Sequence, residues 1–264
     1  PAWMSFTSEA PLWCDVVVYE WPSHGIRREE PLPDSVDGLV SDALEDLKKS
    51  FKQHAKGQGL AGAPFAFVGH SIGALVMVGV AHRIRHMFGI EPDVCFVLDR
   101  AAPHHALCSS FGAQMMKEDP ERWIRIFNPM VNNFPADDEG KRMLNMWIGD
   151  MKFQEEGAKP LGFHEFHCPL HVCVALGNYM FDSKAMQAKM STQDKEWNEQ
   201  RAAILGSQPG SSALWDHAAY EDWQQWTSEA CTIHDMEVDH NMIKAHKGFQ
   251  ELLWKTLDKR KAKE

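Results

Sequence analysis

The stretch FAFVGHSIGALVMVG, residues 65–79, joins an apolar run typical of a buried strand to an apolar run typical of a buried helix. One histidine and one serine, His70 and Ser71, interrupt it at the junction. A polar pair in such a place costs stability unless its groups are hydrogen-bonded or used. This junction is therefore a candidate functional site.

Nearly continuous apolar runs, typical of parallel strands covered on both faces, recur along the chain. They are DVVVYEW (15–21), FAFVGH (65–70), DVCFVLD (93–99), HVCVALG (171–177) and CTIHDMEV (231–238). Amphipathic helical patterns separate them, and a last helical pattern, NMIKAHKGFQELLWKTL, follows the fifth run. The alternation predicts an α/β fold: a mostly parallel sheet with helices on both faces.

Residues 105–160 break this alternation, because their methionines and tryptophans keep helical spacing and no strand pattern occurs. We expect a helical insertion there, which would form a lid if it lies over a cleft at the strand ends. A second, more polar insertion is expected at 183–212. The 264 residues otherwise suit a single α/β domain over 1–264, with the lid insertion at about 105–160.

Composition argues against several classes of partner and location. A net charge of −10 and a pI near 5.8 disfavour a nucleic acid or an anionic membrane as the main partner. Polar and proline residues in the middle of the apolar stretch 60–81 argue against a membrane span. Six cysteines without a C-x-x-C pair, and no signal-peptide pattern, favour a reducing, cytoplasmic location.

The segment Gly69-His70-Ser71-Ile72-Gly73 fits the pattern G-x-S-x-G, and it lies where a strand meets a helix, the context that makes this pattern specific. The turn is tight, so we expect that neither glycine position tolerates a side chain. Ser71 is the predicted nucleophile. The Ile72 backbone N–H, at the start of the helix, is the predicted oxyanion donor.

A serine hydroxyl needs a base, and in this fold the base follows the last strand. His240, in VDHNMIK, has that position, whereas His234 lies within the strand and His246 in the final helical pattern. Four other histidines lack the spacing of a zinc motif: His104, His105, His164 and His167. No metal and no bound organic cofactor is expected.

The acid of a catalytic triad should follow the run HVCVALG. Asp182, in GNYMFDSK, is the first carboxylate after it and is the predicted acid. Three aspartates further along the chain remain alternatives: Asp194, Asp216 and Asp222.

The chain resembles the type II thioesterases that serve polyketide and nonribosomal peptide synthetases. That family carries a G-H-S-M-G-A segment, an amphipathic helix, and a strand ending in an arginine and A-P-H, which correspond here to 69–74 and 100–104. Its P-G-R-x-x-R-like turn is matched at Arg27 or Arg28, and its acid-bearing and histidine-bearing segments are similar to CPLHVCVALGNYMFD and VDHNMIK. The Ala-Gly-Gly loop that supplies the family's other oxyanion donor has no visible counterpart.

The resemblance implies an α/β-hydrolase fold and a Ser-His-Asp acyl-enzyme mechanism acting on acyl thioesters. The partner it implies is an acyl carrier protein or carrier domain that bears phosphopantetheine. Two other interpretations stay open: an esterase or acyl-CoA hydrolase acting on free small molecules, and a non-catalytic binding protein of the same fold.

Overall fold

The computed structural model describes residues 2–54, 64–157, 165–177, 194–206 and 214–261. Within these ranges, a parallel sheet has the strand order β1-β2-β3-β4. Its strands are β1 (Ala66–His70), β2 (Val94–Leu98), β3 (Leu170–Ala175) and β4 (Cys231–Met236). Four of the five predicted strands are thus confirmed.

The first predicted strand, 15–21, has no strand hydrogen bonds in the structure. Three of its side chains nevertheless pack on the core, Val16 with one apolar cluster and Tyr19 and Trp21 with the other, while Val17 and Val18 are exposed. The segment therefore contributes side chains to the core without being a strand, and the prediction of a strand at 15–21 is wrong. Backbone pairing needs an aligned partner edge, which composition alone does not specify.

Helices cover both faces of the sheet, as predicted. In β2 all five residues are buried, with Cys95 and Val97 packed into one apolar cluster and Val94, Phe96 and Leu98 into the other. The described helices are α1 (Ala2–Ser8), α2 (Val36–His54), α3 (Ile72–Phe88), α4 (Ser110–Glu118), α5 (Pro120–Phe127), α6 (Asp138–Glu156), α7 (Asp194–Leu205), α8 (His217–Glu221) and α9 (Lys247–Lys261). The first cluster includes residues of α2 and α3, and the second includes residues of α1 and α9.

The connection from β2 to β3 is helical and consists of α4, α5, a short 3-10 helix and α6, followed by residues outside the described ranges. Ser109, Asp119 and Asp137 begin the three α-helices, each accepting a hydrogen bond from a backbone N–H of the first turn. Trp123 and Phe127 stack within α5, with ring centroids 4.9 Å apart. Capping and aromatic packing together make this stretch an ordered helical layer.

Three smaller features bear on the predictions. The second expected insertion, 183–212, is described only in part and contains α7, whose Ile204 carbonyl accepts a hydrogen bond from the Ser109 N–H. Among the described residues, no helix combines the length and apolar character that crossing a membrane requires. All six cysteines are free thiols.

Arg27 anchors the turn that was matched to the family's arginine motif. Its guanidinium forms ion pairs with Asp42 on α2 and with Glu30, while Arg28 contacts Glu29 at the surface. The Arg27 guanidinium also holds the pKa of the Asp42 carboxyl below its usual range. Arg27 therefore ties this turn to α2.

Candidate active site

Ser71 lies between β1 and α3 in a backbone conformation that non-glycine residues rarely adopt, with φ 54° and ψ −125°. Its N–H donates to the Leu98 carbonyl at the end of β2, at 2.9 Å. The helix α3 begins at the next residue, Ile72. This strained strand–turn–helix junction is the geometry that a G-x-S-x-G elbow requires.

The two glycines of the elbow differ in how much room they have. A Cβ on Gly69 would lie 2.6 Å from the Ala74 Cα and 2.8 Å from the Ala74 N, so this position excludes a side chain. A Cβ on Gly73 would meet nothing within 4 Å. The expectation that both positions exclude side chains is therefore wrong for Gly73, which lies in the first turn of α3 and faces open space.

The Ile72 N–H occupies the first position of α3, where helix geometry provides no acceptor four residues earlier. It therefore lies beside the serine, at the positive end of the helix dipole. Residue Ser71 is 9% exposed, and its hydroxyl oxygen accepts a hydrogen bond from the Gln154 side-chain Nε2 at 2.6 Å. Gln154 belongs to α6 and is 3% exposed.

His240 lies in the loop after β4 and is 3% exposed. Its Nδ1 is 2.7 Å from Oδ2 of Asp99, the residue that directly follows β2. The other carboxylate oxygen, Oδ1, accepts hydrogen bonds from the Ala175 N–H and the Tyr220 hydroxyl, both at 3.0 Å. Three donors therefore fix the Asp99 carboxylate in one orientation.

The sequence reasoning overlooked Asp99, although it appears as the last letter of the strand DVCFVLD. A strand that ends in a carboxylate next to the serine-bearing strand is a clue, because carboxyl ends of neighbouring parallel strands meet at one edge. Asp99 also has a positive φ of 46°. Asp182 lies outside the described residues, so the structure does not relate it to His240.

The alternative acids and bases have other surroundings. Asp194 begins α7 and Asp216 precedes α8, while Asp222 contacts His104 and His105. His234 lies within β4, where its Nε2 is 2.9 Å from Nδ1 of His171 on β3, and burial lowers its pKa. His246 ends a short 3-10 helix before α9, and His164 lies outside the described residues.

His70, the residue before the serine, is in contact with the backbone of His240. Its Nε2 lies 2.8 Å from the His240 carbonyl oxygen, and the two rings are 4.5 Å apart. Because a carbonyl can only accept, the Nε2 of His70 carries the proton, and Nδ1 is the acceptor that faces the Lys244 ammonium at 3.3 Å. Burial, reinforced by His240 and Lys244, lowers the pKa of His70 well below its ordinary value, which keeps the ring neutral.

Arg100, directly after Asp99, is fully buried. Its guanidinium donates to the carbonyls of Ala101 and His105 and lies 4.4 Å from the centroid of the Trp215 ring. Burial lowers the pKa of Arg100 to about 10, which still leaves it charged at neutral pH. Arg100 therefore holds the loop after β2 by hydrogen bonds to backbone carbonyls and by stacking.

In the part of the chain that the structure describes, His104, His105 and Asp222 form one group whose ligand atoms lie within 4.8 Å of one another. Their hydrogen bonds already use these atoms. The Trp226 indole N–H donates to Nδ1 of His104, so Nε2 of the neutral ring carries the proton and faces Asp222. Such a ring offers no free lone pair to a metal ion.

Residues 2–259 match the thioesterase domain family. The chain belongs to this family of hydrolases. It is 31% identical over 94 residues to linear gramicidin dehydrogenase LgrE of Brevibacillus parabrevis, a match that covers 36% of the chain and 32% of LgrE. The matched segment thus spans about a third of that relative.

Solved structures of thioesterases share the fold. RedJ, a thioesterase from the prodiginine biosynthetic pathway of Streptomyces coelicolor, is 17% identical with a TM-score of 0.55, covering 90% of this chain and 72% of RedJ. The type II thioesterase BorB from the borrelidin biosynthetic cluster is 16% identical with a TM-score of 0.58, covering 91% of this chain and 78% of BorB. The fold is that of the α/β hydrolases, as the sequence resemblance implied.

Proposed function

We propose that this chain is a serine thioesterase that hydrolyses acyl thioesters held on the phosphopantetheine arm of a carrier protein. The observation that carries the proposal is the buried pair of Asp99 and His240 at the same sheet edge as the strained Ser71. In this proposal Asp99, rather than Asp182, is the acid. With Nδ1 bound to Asp99, Nε2 is the nitrogen of His240 that acts as the base.

The chemistry needs these side chains and water. Ser71 Oγ attacks the thioester carbonyl carbon while Nε2 of His240 takes the hydroxyl proton, and the carbonyl electron pair moves onto oxygen next to the Ile72 N–H. Collapse breaks the C–S bond, and His240 returns the proton to the leaving thiolate. Water, deprotonated by His240, then attacks the acyl-enzyme carbonyl. The bond to Ser71 Oγ breaks, His240 gives the proton to that oxygen, and the carboxylic acid is released.

The helices between β2 and β3 are proposed to form the lid over the acyl chain. The low exposure of Ser71 and its contact with Gln154 of α6 support this role. The carrier-protein substrate is supported by the pathway thioesterases with which the chain shares its fold and by the LgrE similarity. Six free thiols are consistent with a proposed location in the cytoplasm.

Substitution of the nucleophile provides the first test. Acyl-carrier protein and acyl-pantetheine bearing the same acyl group are hydrolysed side by side by the parent, Ser71→Ala and His240→Ala proteins. We expect both variants to lose at least about 10³-fold in kcat, since removal of either group disables the acyl-enzyme route. Ser71→Ala activity equal to that of the parent would refute the mechanism.

Substrate preference separates the proposal from its rivals. A kcat/KM at least about tenfold higher on the carrier than on pantetheine alone supports a carrier partner, and equal values favour an enzyme for free esters or acyl-CoA. Labelling of Ser71 by a fluorophosphonate tests the binding-protein alternative. Folded protein that gives no adduct would favour a non-catalytic role.

A further inference from the structure

In the part of the chain that the structure describes, the Gln154 side chain is hydrogen-bonded to the hydroxyl oxygen of Ser71, the proposed nucleophile. Its Nε2 donates to Ser71 Oγ at 2.6 Å. A donor from Gln154 leaves the serine proton free for a base, whereas an acceptor in the same place would compete with the base for it. The contact is therefore compatible with an active nucleophile.

Gln154 is held in place by its neighbours on α6. The Glu155 carboxylate accepts a hydrogen bond from the Cys108 N–H at 2.9 Å, and the Glu156 carboxylate accepts one from the Val36 N–H at 3.2 Å. Phe153, on the other side of Gln154, is 3% exposed and belongs to the apolar cluster that includes residues of α2 and α3. This end of α6 is thus fixed to the loop after β2, to the start of α2 and to the core.

The amide of Gln154 is also incompletely satisfied. Its Oε1 is buried and has no hydrogen-bond partner among the described residues. A buried unpaired carbonyl oxygen costs free energy, so a residue selected for packing alone would not need an amide there. A buried amide whose N–H₂ already lies at Ser71 Oγ needs only a small rotation to donate to an oxygen attached to the same carbon.

We propose that the Gln154 side-chain amide is the second oxyanion donor of this enzyme, acting with the Ile72 N–H. This inference rests on the proposed serine mechanism. When Ser71 Oγ bonds to the carbonyl carbon and its proton passes to His240, the negative charge forms on an oxygen attached to the same carbon as Oγ. The Gln154 amide then shifts its hydrogen bond from Oγ to that oxygen, and no proton leaves Gln154.

The test uses an isosteric variant, Gln154→Met, which fills the same space without a donor. We expect kcat to fall by about 10²–10³-fold with KM changed by less than about twofold, because the lost interaction forms only in the transition state. Affinity for an alkyl boronic acid, which forms a tetrahedral adduct on serine, should fall in parallel. Gln114→Ala, an exposed glutamine on α4, is the matched control and should behave like the parent.

Other outcomes overturn the inference. An unchanged or increased kcat in Gln154→Met would show that Gln154 is dispensable or restrains the serine. A fall in kcat together with a lower melting temperature and unchanged boronate affinity would assign Gln154 a structural role. The Ser71→Ala variant keeps the two proposals separate: if it is inactive while Gln154→Met is fully active, only the oxyanion assignment fails.

Discussion

Replacing Asp99 with asparagine tests the acid assignment with little disturbance of the backbone. Asn, like Asp, tolerates the left-handed conformation that this residue adopts at φ 46°. The amide is also nearly isosteric with the carboxylate. We therefore expect the variant to fold normally, with its melting temperature within a few degrees of the parent.

The two orientations of the new amide have different consequences. If its oxygen keeps the hydrogen bonds from the Ala175 N–H and the Tyr220 hydroxyl, its NH₂ faces Nδ1 of His240. Nδ1 must then accept, so the ring proton moves to Nε2 and the histidine can no longer act as the base. If the amide is flipped, its oxygen accepts from Nδ1 of His240 and Nε2 can act as the base. Its NH₂ then faces two other donors, the Ala175 N–H and the Tyr220 hydroxyl.

The flipped orientation sets the residual activity. Leaving two buried donors unsatisfied costs about 1–3 kcal/mol each, so the productive form lies about 2–6 kcal/mol above the other. That difference corresponds to a loss of about 30-fold to about 10⁴-fold in kcat. Single-turnover hydrolysis of an acyl-carrier substrate covers this range.

Three further variants test the assignment of Asp99 as the acid. Tyr220→Phe removes one of the two donors that oppose the flipped amide, so Asp99→Asn/Tyr220→Phe should be more active than Asp99→Asn, although Tyr220→Phe alone is slightly slower than the parent. Asp182→Asn should retain parental activity. A large loss in Asp182→Asn together with near-normal Asp99→Asn would return the acid role to Asp182.

Three more predictions concern the surroundings of the site. Gly69→Ala should lower the free energy of unfolding by about 1–3 kcal/mol and abolish Ser71 labelling, whereas Gly73→Ala should be neutral or stabilising in thermal melts, because only the first Cβ meets backbone atoms. His70→Leu should lower kcat about tenfold, because it removes the hydrogen bond to the His240 carbonyl, and His70→Gln should recover most of the activity. Equal losses in both variants would contradict a positioning role for His70. Burial lowers the pKa of His24, but the hydrogen bond and charge of Asp150 outweigh burial and raise that pKa overall, and burial raises the pKa of Asp150. Both shifts make the free energy of unfolding fall as pH rises. The melting-temperature advantage of the parent over His24→Gln should therefore shrink from pH 6 to pH 8.5, by an amount equivalent to about 1 kcal/mol or less.

Sequence reasoning located four of the strands and the strand–turn–helix junction that carries Ser71, because these depend on local patterns. Apolar runs identify β1–β4, and the elbow at 69–73 needs glycine at a position that a five-residue pattern specifies. Asp99 and Gln154 depend instead on tertiary geometry, since each meets its partner across a long separation in sequence: 141 residues to His240 and 83 residues to Ser71. The strand at 15–21 was mispredicted for a related reason, because backbone pairing is a non-local property.

The sheet itself aligns the proposed catalytic groups, because its hydrogen bonding continues past the strand ends into the loops that carry them. The Ser71 N–H donates to the Leu98 carbonyl of β2, and the Asp99 N–H donates to the Cys173 carbonyl of β3, so each of these residues is held in register by the next strand of the sheet. The Gly177 N–H bonds to the carbonyl of residue 238, two residues before the histidine. Two residues with positive φ are thus maintained at adjacent strand ends by regular backbone pairing. The backbone hydrogen bonds that set the spacing of Ser71 and Asp99 also offset the strain of their positive φ angles.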